Sequence, residues 1–293
     1  MSRRGWLLFI TMGVIWGLPY LMIKVAVGVL TPSALVFLRT ALAALLLVPI
    51  AAARGELRPL ASRWRALLVF SLVELAIPWL LLASAEKRLT SSLTGLLIAA
   101  VPLVGAVFGW LSGGERLGPR RILGLLVGLV GVAALVGLDL GSGDVPALLQ
   151  MAGVVIGYAL GPFILARYLA DLPGLGVVAA SLAITTGIYL VPGIAQLPTQ
   201  WPPASVVWAV IGLAVLCTAV AFLVFFALID EVGPVRATVI TYLNPAVAVV
   251  LGVVFLDEPF TVGIAAGFVL VLAGSVLATR RSSVPAQEPV TVA

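Results

Sequence analysis

The sequence predicts an all-α integral membrane protein, with ten transmembrane helices arranged as two inverted five-helix repeats. Three observations predict this class: the composition, ten apolar runs of membrane-spanning length, and a similarity between the two halves of the chain. Of the 293 residues, 62% are hydrophobic and 10% are charged, and the mean hydropathy is +1.23. Soluble domains have about 45–50% apolar and about 25% charged residues, so the composition excludes an ordinary soluble protein.

Apolar runs account for most of the chain. A helix that crosses a bilayer needs about 20 mostly apolar residues, and charges, prolines or glycines mark its ends. The first run is long and carries Lys24, which indicates an uncleaved helix rather than a secretory signal. The ten predicted spans cover residues 6–28, 33–53, 67–85, 91–112, 121–138, 147–168, 175–195, 205–228, 235–256 and 261–279.

Basic residues predict the orientation of these spans. With the N-terminus in the cytoplasm, thirteen of the 17 basic residues fall in cytoplasmic segments, and only Lys87 and Arg88 fall in outer ones. The positive-inside rule therefore predicts that both termini are cytoplasmic. The excess of arginine over lysine is typical of a GC-rich bacterial genome, which places the chain in a bacterial inner membrane. Because the membrane topology explains the basic clusters, no nucleic-acid partner is expected. Residues 282–293 are predicted to be a disordered tail.

The two halves of the chain match at an offset of 143 residues, the separation of Pro102 and Pro245. Five helices in each half, an odd number, give the halves opposite orientations, so residues 1–143 and 144–281 are predicted to be inverted repeats. Many secondary transporters use this architecture, because two similar halves supply inward-open and outward-open states of comparable energy. The other matches at this offset are Pro19 with Pro162, Pro49 with Pro192, Glu115 with Glu258, Gly124 with Gly267, and Gly131 with Gly274.

Several classes of function are disfavoured by what the sequence lacks. The chain has no histidine and a single cysteine, Cys217, so neither a metal site nor a cofactor is expected. An integral-membrane enzyme is the alternative from another class, but no paired carboxylates lie at membrane depth. A channel also fits an inverted repeat. No phosphate-binding loop is present, so this chain is not expected to hydrolyse ATP.

Aromatic residues near mid-depth predict a substrate pocket, because transporters bind their substrates near the bilayer midplane. The alternative is that each aromatic residue packs against a neighbouring helix. The candidates are Trp16, Tyr20, Trp79, Tyr158 and Tyr242.

Three ionisable residues lie within predicted spans, where charge is costly and therefore indicates function. Lys24, Arg39 and Glu74 are predicted to contact the two ends of a zwitterionic substrate, with proton uptake as a second role for Glu74. The alternatives are that Lys24 extends to the membrane surface and that Arg39 pairs with Glu74. At the repeat offset, Arg39 matches Leu182 and Glu74 matches Cys217. The scaffold therefore does not require these charges in both halves.

Prolines and glycines inside the spans predict hinges, because proline removes a helical hydrogen bond; static kinks are the alternative. The polar break at Asn244 is predicted either to contact substrate or to satisfy backbone groups. Glu115 and Glu258 are expected to make helix-end or loop contacts. The glycines of spans 5 and 10 are assigned to packing within one chain, which predicts a functional monomer. The predicted hinge residues are Gly17, Pro19, Pro78, Pro102, Gly161, Pro162 and Pro245.

The pair Trp16-Gly17, Arg39 early in the second span, and the segments 102–131 and 245–274 resemble the drug/metabolite transporter superfamily, and within it the ten-helix EamA branch. The resemblance covers residues 6–279. It implies a small-molecule exporter of the amino-acid exporter type that works by alternating access, with multidrug or nucleotide-sugar transport as the alternative. Leu18-Pro19 stands where small residues commonly follow the Trp-Gly pair in this branch.

Overall fold

A computed structural model describes residues 1–111, 118–139, 144–233 and 237–279, and every regular element in these ranges is helical. Seven of the helices are long and apolar enough to cross a membrane, and α9 and α10 are shorter apolar helices. The all-helical class is therefore confirmed. In chain order the helices are α1 (Arg3–Val27), α2 (Pro32–Ala53), α3 (Arg58–Ala85), α4 (Ser91–Leu111), α5 (Pro119–Asp139), α6 (Val145–Leu169), α7 (Gly174–Ala195), α8 (Ala204–Val232), α9 (Ile240–Leu256) and α10 (Val262–Thr279).

Polar residues begin several of these helices, because the first backbone N–H groups of a helix have no partner within it. The Ser2 hydroxyl accepts from Gly5 N at 2.9 Å at the start of α1. The Thr90 hydroxyl accepts from Leu93 N at 3.2 Å at the start of α4. The start of α3 differs from the prediction: a 3-10 turn, Arg58–Arg63, precedes the span that the apolar pattern begins at residue 67.

Large apolar side chains cover the outside of the helical assembly. Leu7, Leu45 and Val191 expose 67%, 71% and 76% of their surfaces. Apolar exposure of this extent is costly in water but is what the hydrocarbon region of a bilayer requires of a protein surface.

Close packing between α5 and α10 depends on glycine. A Cβ added at Gly124 would overlap the backbone of Ala278, and one added at Gly274 would overlap the backbone of Gly128. Small residues let two helix backbones approach within a membrane. The prediction that these glycines pack within the chain is therefore confirmed.

Several of the main helix contacts recur when the two halves exchange places. Helix α3 packs against α6 as α8 packs against α1, and α4 packs against α6 as α9 packs against α1. Three extensive contacts join equivalent helices of the two halves: α2 with α7, α4 with α9, and α5 with α10.

Irregular backbone also recurs at equivalent places. The π-helical segment Ser71–Ala76 in α3 corresponds to the π-helical segment Gly212–Val220 in α8. In α4 the α-helix ends at Ile98 and resumes at Val101, just before Pro102. In α9 a 3-10 turn gives way to α-helix at Asn244, just before Pro245. Two predicted hinges thus lie at breaks in their helices.

The other predicted hinges lie in different settings. Pro78 follows the π-helical segment of α3 directly. Pro19 lies inside α1 and Pro162 lies inside the α-helical part of α6, before a π-helical end at Leu165–Leu169. Gly17 lets α1 approach α9, because a Cβ there would overlap Val247. Whether these positions move during transport stays a prediction.

Candidate substrate-binding site

Arg39 is buried where α2, α3 and α8 meet. Only 7% of the residue is exposed, and its Nε donates a hydrogen bond to the Thr218 hydroxyl at 3.1 Å. The guanidinium carbon lies 3.6 Å from the centre of the Trp79 ring. This distance is well within the range of a cation–π interaction, which is stronger when the cation is shielded from water.

Arg39 has no acidic partner among the described residues. Within the described ranges, the ion pairs join Arg4 to Glu231, Arg63 to Asp171, and Arg88 to Asp144. The alternative in which Arg39 forms a structural ion pair with Glu74 is therefore wrong for this conformation. A buried guanidinium without a counter-ion has binding capacity that its own chain leaves unused.

Thr218 is a partner of Arg39 that the sequence did not reveal. It lies in the π-helical segment of α8, and its hydroxyl donates to the Leu213 carbonyl at 2.7 Å while accepting from Arg39. One-turn π-helical insertions are frequent at functional sites because they redirect side chains. Its position in the repeat could have identified Thr218, because it follows Cys217, the residue that matches Glu74 at the repeat offset.

Two tyrosines complete this group, which we call the Arg39 cluster: Tyr20, Arg39, Trp79, Tyr158 and Thr218. Tyr20 on α1 and Tyr158 on α6 both lie within electrostatic range of Arg39. Tyr20 and Trp79 each expose 7%. The cluster thus draws on five helices, and four of its five members were predicted to bind substrate.

Glu74 lies on the π-helical segment of α3 and packs against α6. Its Oε2 is buried with no hydrogen-bond partner. The carboxylate occupies the space beside Gly161, where an added Cβ would overlap it. Tyr158 is within electrostatic range of both Glu74 and Arg39. Gly161, predicted as a hinge, therefore also provides room for the carboxylate.

Trp16 packs against α8. Its ring centre lies 6.0 Å from that of Phe222 and 4.8 Å from that of Phe225. Edge-on and tilted aromatic contacts at such distances contribute about 0.5–1.5 kcal/mol beyond buried area. Packing against a neighbouring helix, the alternative to substrate contact, thus describes Trp16 in this conformation.

Lys24 bonds to backbone carbonyls. Its Nζ donates to the carbonyls of Glu86 and Leu89, at 2.7 and 2.6 Å, and so holds the loop between α3 and α4. Cationic side chains commonly bind the carbonyls that a helix end leaves without partners. This contact is neither of the two uses that the sequence suggested for Lys24.

Asn244 satisfies backbone groups in this conformation. With its amide nitrogen directed at two carbonyls, it donates to Ile240 O at 3.0 Å and to Gly13 O at 3.1 Å, bridging α9 and α1. Tyr242 lies in the 3-10 turn just before it, which packs against α1. These two residues join the α1–α9 contact rather than the Arg39 cluster.

Glu86 is a buried acid that follows directly on the third predicted span, residues 67–85. It lies directly after α3 with 0% exposure, and neither carboxylate oxygen has a hydrogen-bond partner. Burial raises the pKa of Glu86 well above its usual value, while the nearby Lys24 opposes this and Glu258 adds to it. The position of Glu86 in the sequence did not predict its burial, because residues at helix ends are usually exposed to water.

Glu258 caps the start of α4. Its carboxylate accepts hydrogen bonds from Ser91 N at 2.6 Å and Ser92 N at 2.9 Å, and both serine hydroxyls also donate to it. An acid at a helix N-terminus satisfies unpaired N–H groups and the helix dipole. The predicted helix-end contact is confirmed for Glu258, whereas Glu115 lies outside the described residues.

Apolar helices that enclose a buried polar cluster define a multi-pass helical membrane protein. The model of the EamA-like transporter family matches this chain twice, at residues 3–137 and 145–280, and the chain belongs to that family. It is therefore a membrane transporter, and the predicted superfamily is confirmed. Family membership indicates transport rather than catalysis.

Similar proteins carry the same description. The chain is 26% identical to "Uncharacterized transporter YvbV" of Bacillus subtilis over 285 residues, covering 96% of this chain and 93% of that one. It is 28% identical to "Uncharacterized inner membrane transporter YedA" of Escherichia coli K12 over 244 residues, covering 82% and 78%. A solved crystal structure shares the fold, with a TM-score of 0.66 and 24% identity over 95% of this chain and 98% of that one.

Proposed function

We propose that this transporter is a secondary carrier that exports a small metabolite, an amino acid in particular, across the bacterial inner membrane by alternating access. The observation that carries the proposal is Arg39, a buried guanidinium that contacts Thr218 and Trp79 but pairs with no acid in the part of the chain that the structure describes. Burying an unpaired charge is costly, and a substrate carboxylate would offset that cost while accepting two parallel hydrogen bonds.

The other end of an amino acid has a matching partner in Glu74. Its Oε2 has no hydrogen-bond partner, and Tyr158 lies within electrostatic range of both Glu74 and Arg39. A substrate ammonium group at Glu74 and a carboxylate at Arg39 would therefore span the space beside Tyr158. Trp79 and Tyr20 supply aromatic walls, which favour a neutral side chain, aromatic ones included.

Alternating access is supported by the symmetry of the contacts. Several main helix contacts recur when the halves exchange, the two π-helical segments correspond, and the family model matches each half. Two five-helix units of opposite orientation can rock against each other around a shared site, which is the mechanism we infer. We interpret the closely packed Arg39 cluster as an occluded conformation and assign both termini to the cytoplasm.

A transporter of cationic drugs is the second candidate. The buried Oε2 of Glu74 favours it, because a cation in an apolar site needs an unpaired acid. Arg39 disfavours it, since a second positive charge would be repelled from the same cluster. A nucleotide-sugar substrate would place its phosphate at Arg39 and leave Glu74 without a role.

Counterflow in liposomes tests the proposal. Liposomes that contain the purified protein are loaded with unlabelled amino acids. Uptake of labelled amino acids is then compared with uptake of labelled nucleotide sugars and cationic drugs. We expect saturable counterflow of neutral amino acids, and its loss in Arg39→Gln. The matched control, Arg120→Gln, removes an exposed arginine at the start of α5 and should leave flux unchanged. Counterflow of drugs alone would support the second candidate, and flux that never saturates would indicate a channel.

A further inference from the structure

A pocket of about 380 Å³ lies far from the Arg39 cluster, where the start of α3 meets the end of α6. Both helix ends are on the predicted cytoplasmic side, and the volume is within the range of small-ligand sites. Its lining is formed by Ser62, Arg63, Trp64, Arg65, Ala66 and Tyr168.

The pocket combines positive charge with exposed aromatic surface. Trp64 exposes 56% and Tyr168 exposes 48%. Each ring has an arginine beside it: the Arg65 guanidinium carbon lies 5.4 Å from the Trp64 ring centre, and that of Arg167 lies 5.9 Å from the Tyr168 ring centre. Tryptophan and tyrosine are enriched at the level of lipid headgroups, which places this pocket at the membrane–water boundary.

The third arginine is loosely held. Arg63 Nη1 lies 3.5 Å from the Tyr168 carbonyl, at the limit of a hydrogen bond, and Nη2 lies 3.5 Å from a carboxylate oxygen of Asp171. Both side chains of that ion pair are about half or more exposed, so the pair contributes little to stability. The donors of Arg63 are therefore available to a stronger acceptor.

We propose that this pocket binds the headgroup of an anionic phospholipid of the cytoplasmic leaflet. The phosphate would accept hydrogen bonds from Arg63 and Arg65, since a guanidinium matches a phosphate bidentately. Trp64 and Tyr168 would contact the glycerol and upper acyl region. The lipid would join α3 to α6, the helices that carry Trp79, Glu74 and Tyr158. This inference depends on the pocket alone and is independent of the transported substrate.

Quenching of Trp64 fluorescence tests the site. The full-length protein is placed in nanodiscs of phosphatidylcholine containing increasing fractions of phosphatidylglycerol with brominated acyl chains. The chain has seven tryptophans, so the Trp64 signal is the difference between wild type and Trp64→Phe. We expect half-maximal quenching at a lower fraction of brominated phosphatidylglycerol than of brominated phosphatidylcholine. Removing a basic residue of the pocket should raise the midpoint about fivefold for each charge, because an arginine attracts an anionic headgroup strongly only where it lies close to it.

Matched variants separate a site from general surface charge. Arg63→Gln with Arg65→Gln should abolish the preference for phosphatidylglycerol, whereas Arg120→Gln, the same charge change outside the pocket, should leave it intact. Arg65→Gln alone provides the same comparison if the double variant folds poorly. Equal midpoints for the two lipids in wild type, or an equal effect of Arg120→Gln, would overturn the proposal. Displacement of the lipid by inorganic phosphate, at constant ionic strength, would also overturn it in favour of a site for free phosphate.

Discussion

Replacing Arg39 by leucine separates a binding role from a structural one. The repeat supplies the choice of residue, since Leu182 stands at the equivalent position of the second half and is fully buried. Burying a charge without a counter-ion costs several kcal/mol of desolvation, and an apolar side chain at the same place removes that cost. Thr218 keeps its hydrogen bond to Leu213 in the variant, so no donor is left without a partner. We therefore expect Arg39→Leu to unfold at the wild-type temperature or above it.

The effect on substrate should have the opposite sign. Hydrogen bonds to a charged group contribute about 1.5–3 kcal/mol, which corresponds to a loss of about 10- to 150-fold in affinity for the substrate carboxylate. The assay is thermal unfolding in detergent, with and without an amino acid that undergoes counterflow. Arg39→Leu should lose the stabilisation that the amino acid confers on wild type. An unfolding temperature several degrees lower, together with unchanged affinity, would show that Arg39 is structural and refute the reasoning.

Three further predictions concern the surroundings of the cluster and the outer loops. Gly161→Ala should reduce transport and destabilise the protein by about 1–3 kcal/mol, because the new methyl group overlaps the Glu74 carboxylate. Glu258→Ala should lower the free energy of unfolding by about 1–3 kcal/mol in chemical denaturation, since it leaves the start of α4 uncapped. Glu86→Gln should raise the melting temperature at neutral pH and have little effect near pH 4, as measured by melting across a pH series.

The sign of the Glu86 effect follows from its raised pKa. Below the ordinary glutamate pKa of about 4.3, the folded and unfolded states both hold the proton, so burial carries no charge penalty. As pH rises towards the folded-state pKa, only the unfolded state releases its proton freely, and stability falls. Glutamine never ionises and avoids this loss. A wild-type stability that increases from pH 4 to neutral by more than that of the variant would contradict the argument.

Controls are available for the other two variants. Gly187→Ala adds the same methyl group where no atom lies within 4 Å, so it should not reduce transport. Wild-type transport in Gly161→Ala would show that α3 and α6 can separate without cost. Glu258→Gln keeps an oxygen acceptor and should retain part of the capping energy. Equal losses in the Gln and Ala variants would assign the effect to charge rather than to hydrogen bonding.

Much of the site was predictable because membrane depth is a property of position along a helix. Arg39, Trp79, Tyr20 and Tyr158 were selected by depth and residue type, and the structure brings all four together. Trp16 satisfied the same criterion and shares a face of α1 with Tyr20, four residues later, but its ring packs against Phe222 and Phe225 of α8. The sequence specifies depth and helix face, whereas the side chains that each aromatic ring meets depend on how neighbouring helices pack.

Residues near irregular backbone and helix ends were harder to assign. Thr218 faces Arg39 from a π-helical segment, which changes the direction of side chains in α8. No pattern of residue types in the sequence predicts such a segment. Glu86 follows the last turn of α3 but is covered by neighbouring chain, so its burial depends on residues distant in sequence. Lys24 was selected as a substrate contact, but the loop between α3 and α4 supplies two carbonyls to which its Nζ donates.

The sequence by itself determined that the chain lies in a membrane, where its apolar helices run and that its halves are related. It could do so because a bilayer requires long apolar runs, and because residue spacing survives in the two halves. Only the tertiary structure decided that Arg39 stacks on Trp79 without an acid, that Glu74 lies beside Gly161 and that Glu86 is buried. Those outcomes depend on which helix faces meet, and helix contacts join residues that are far apart along the chain.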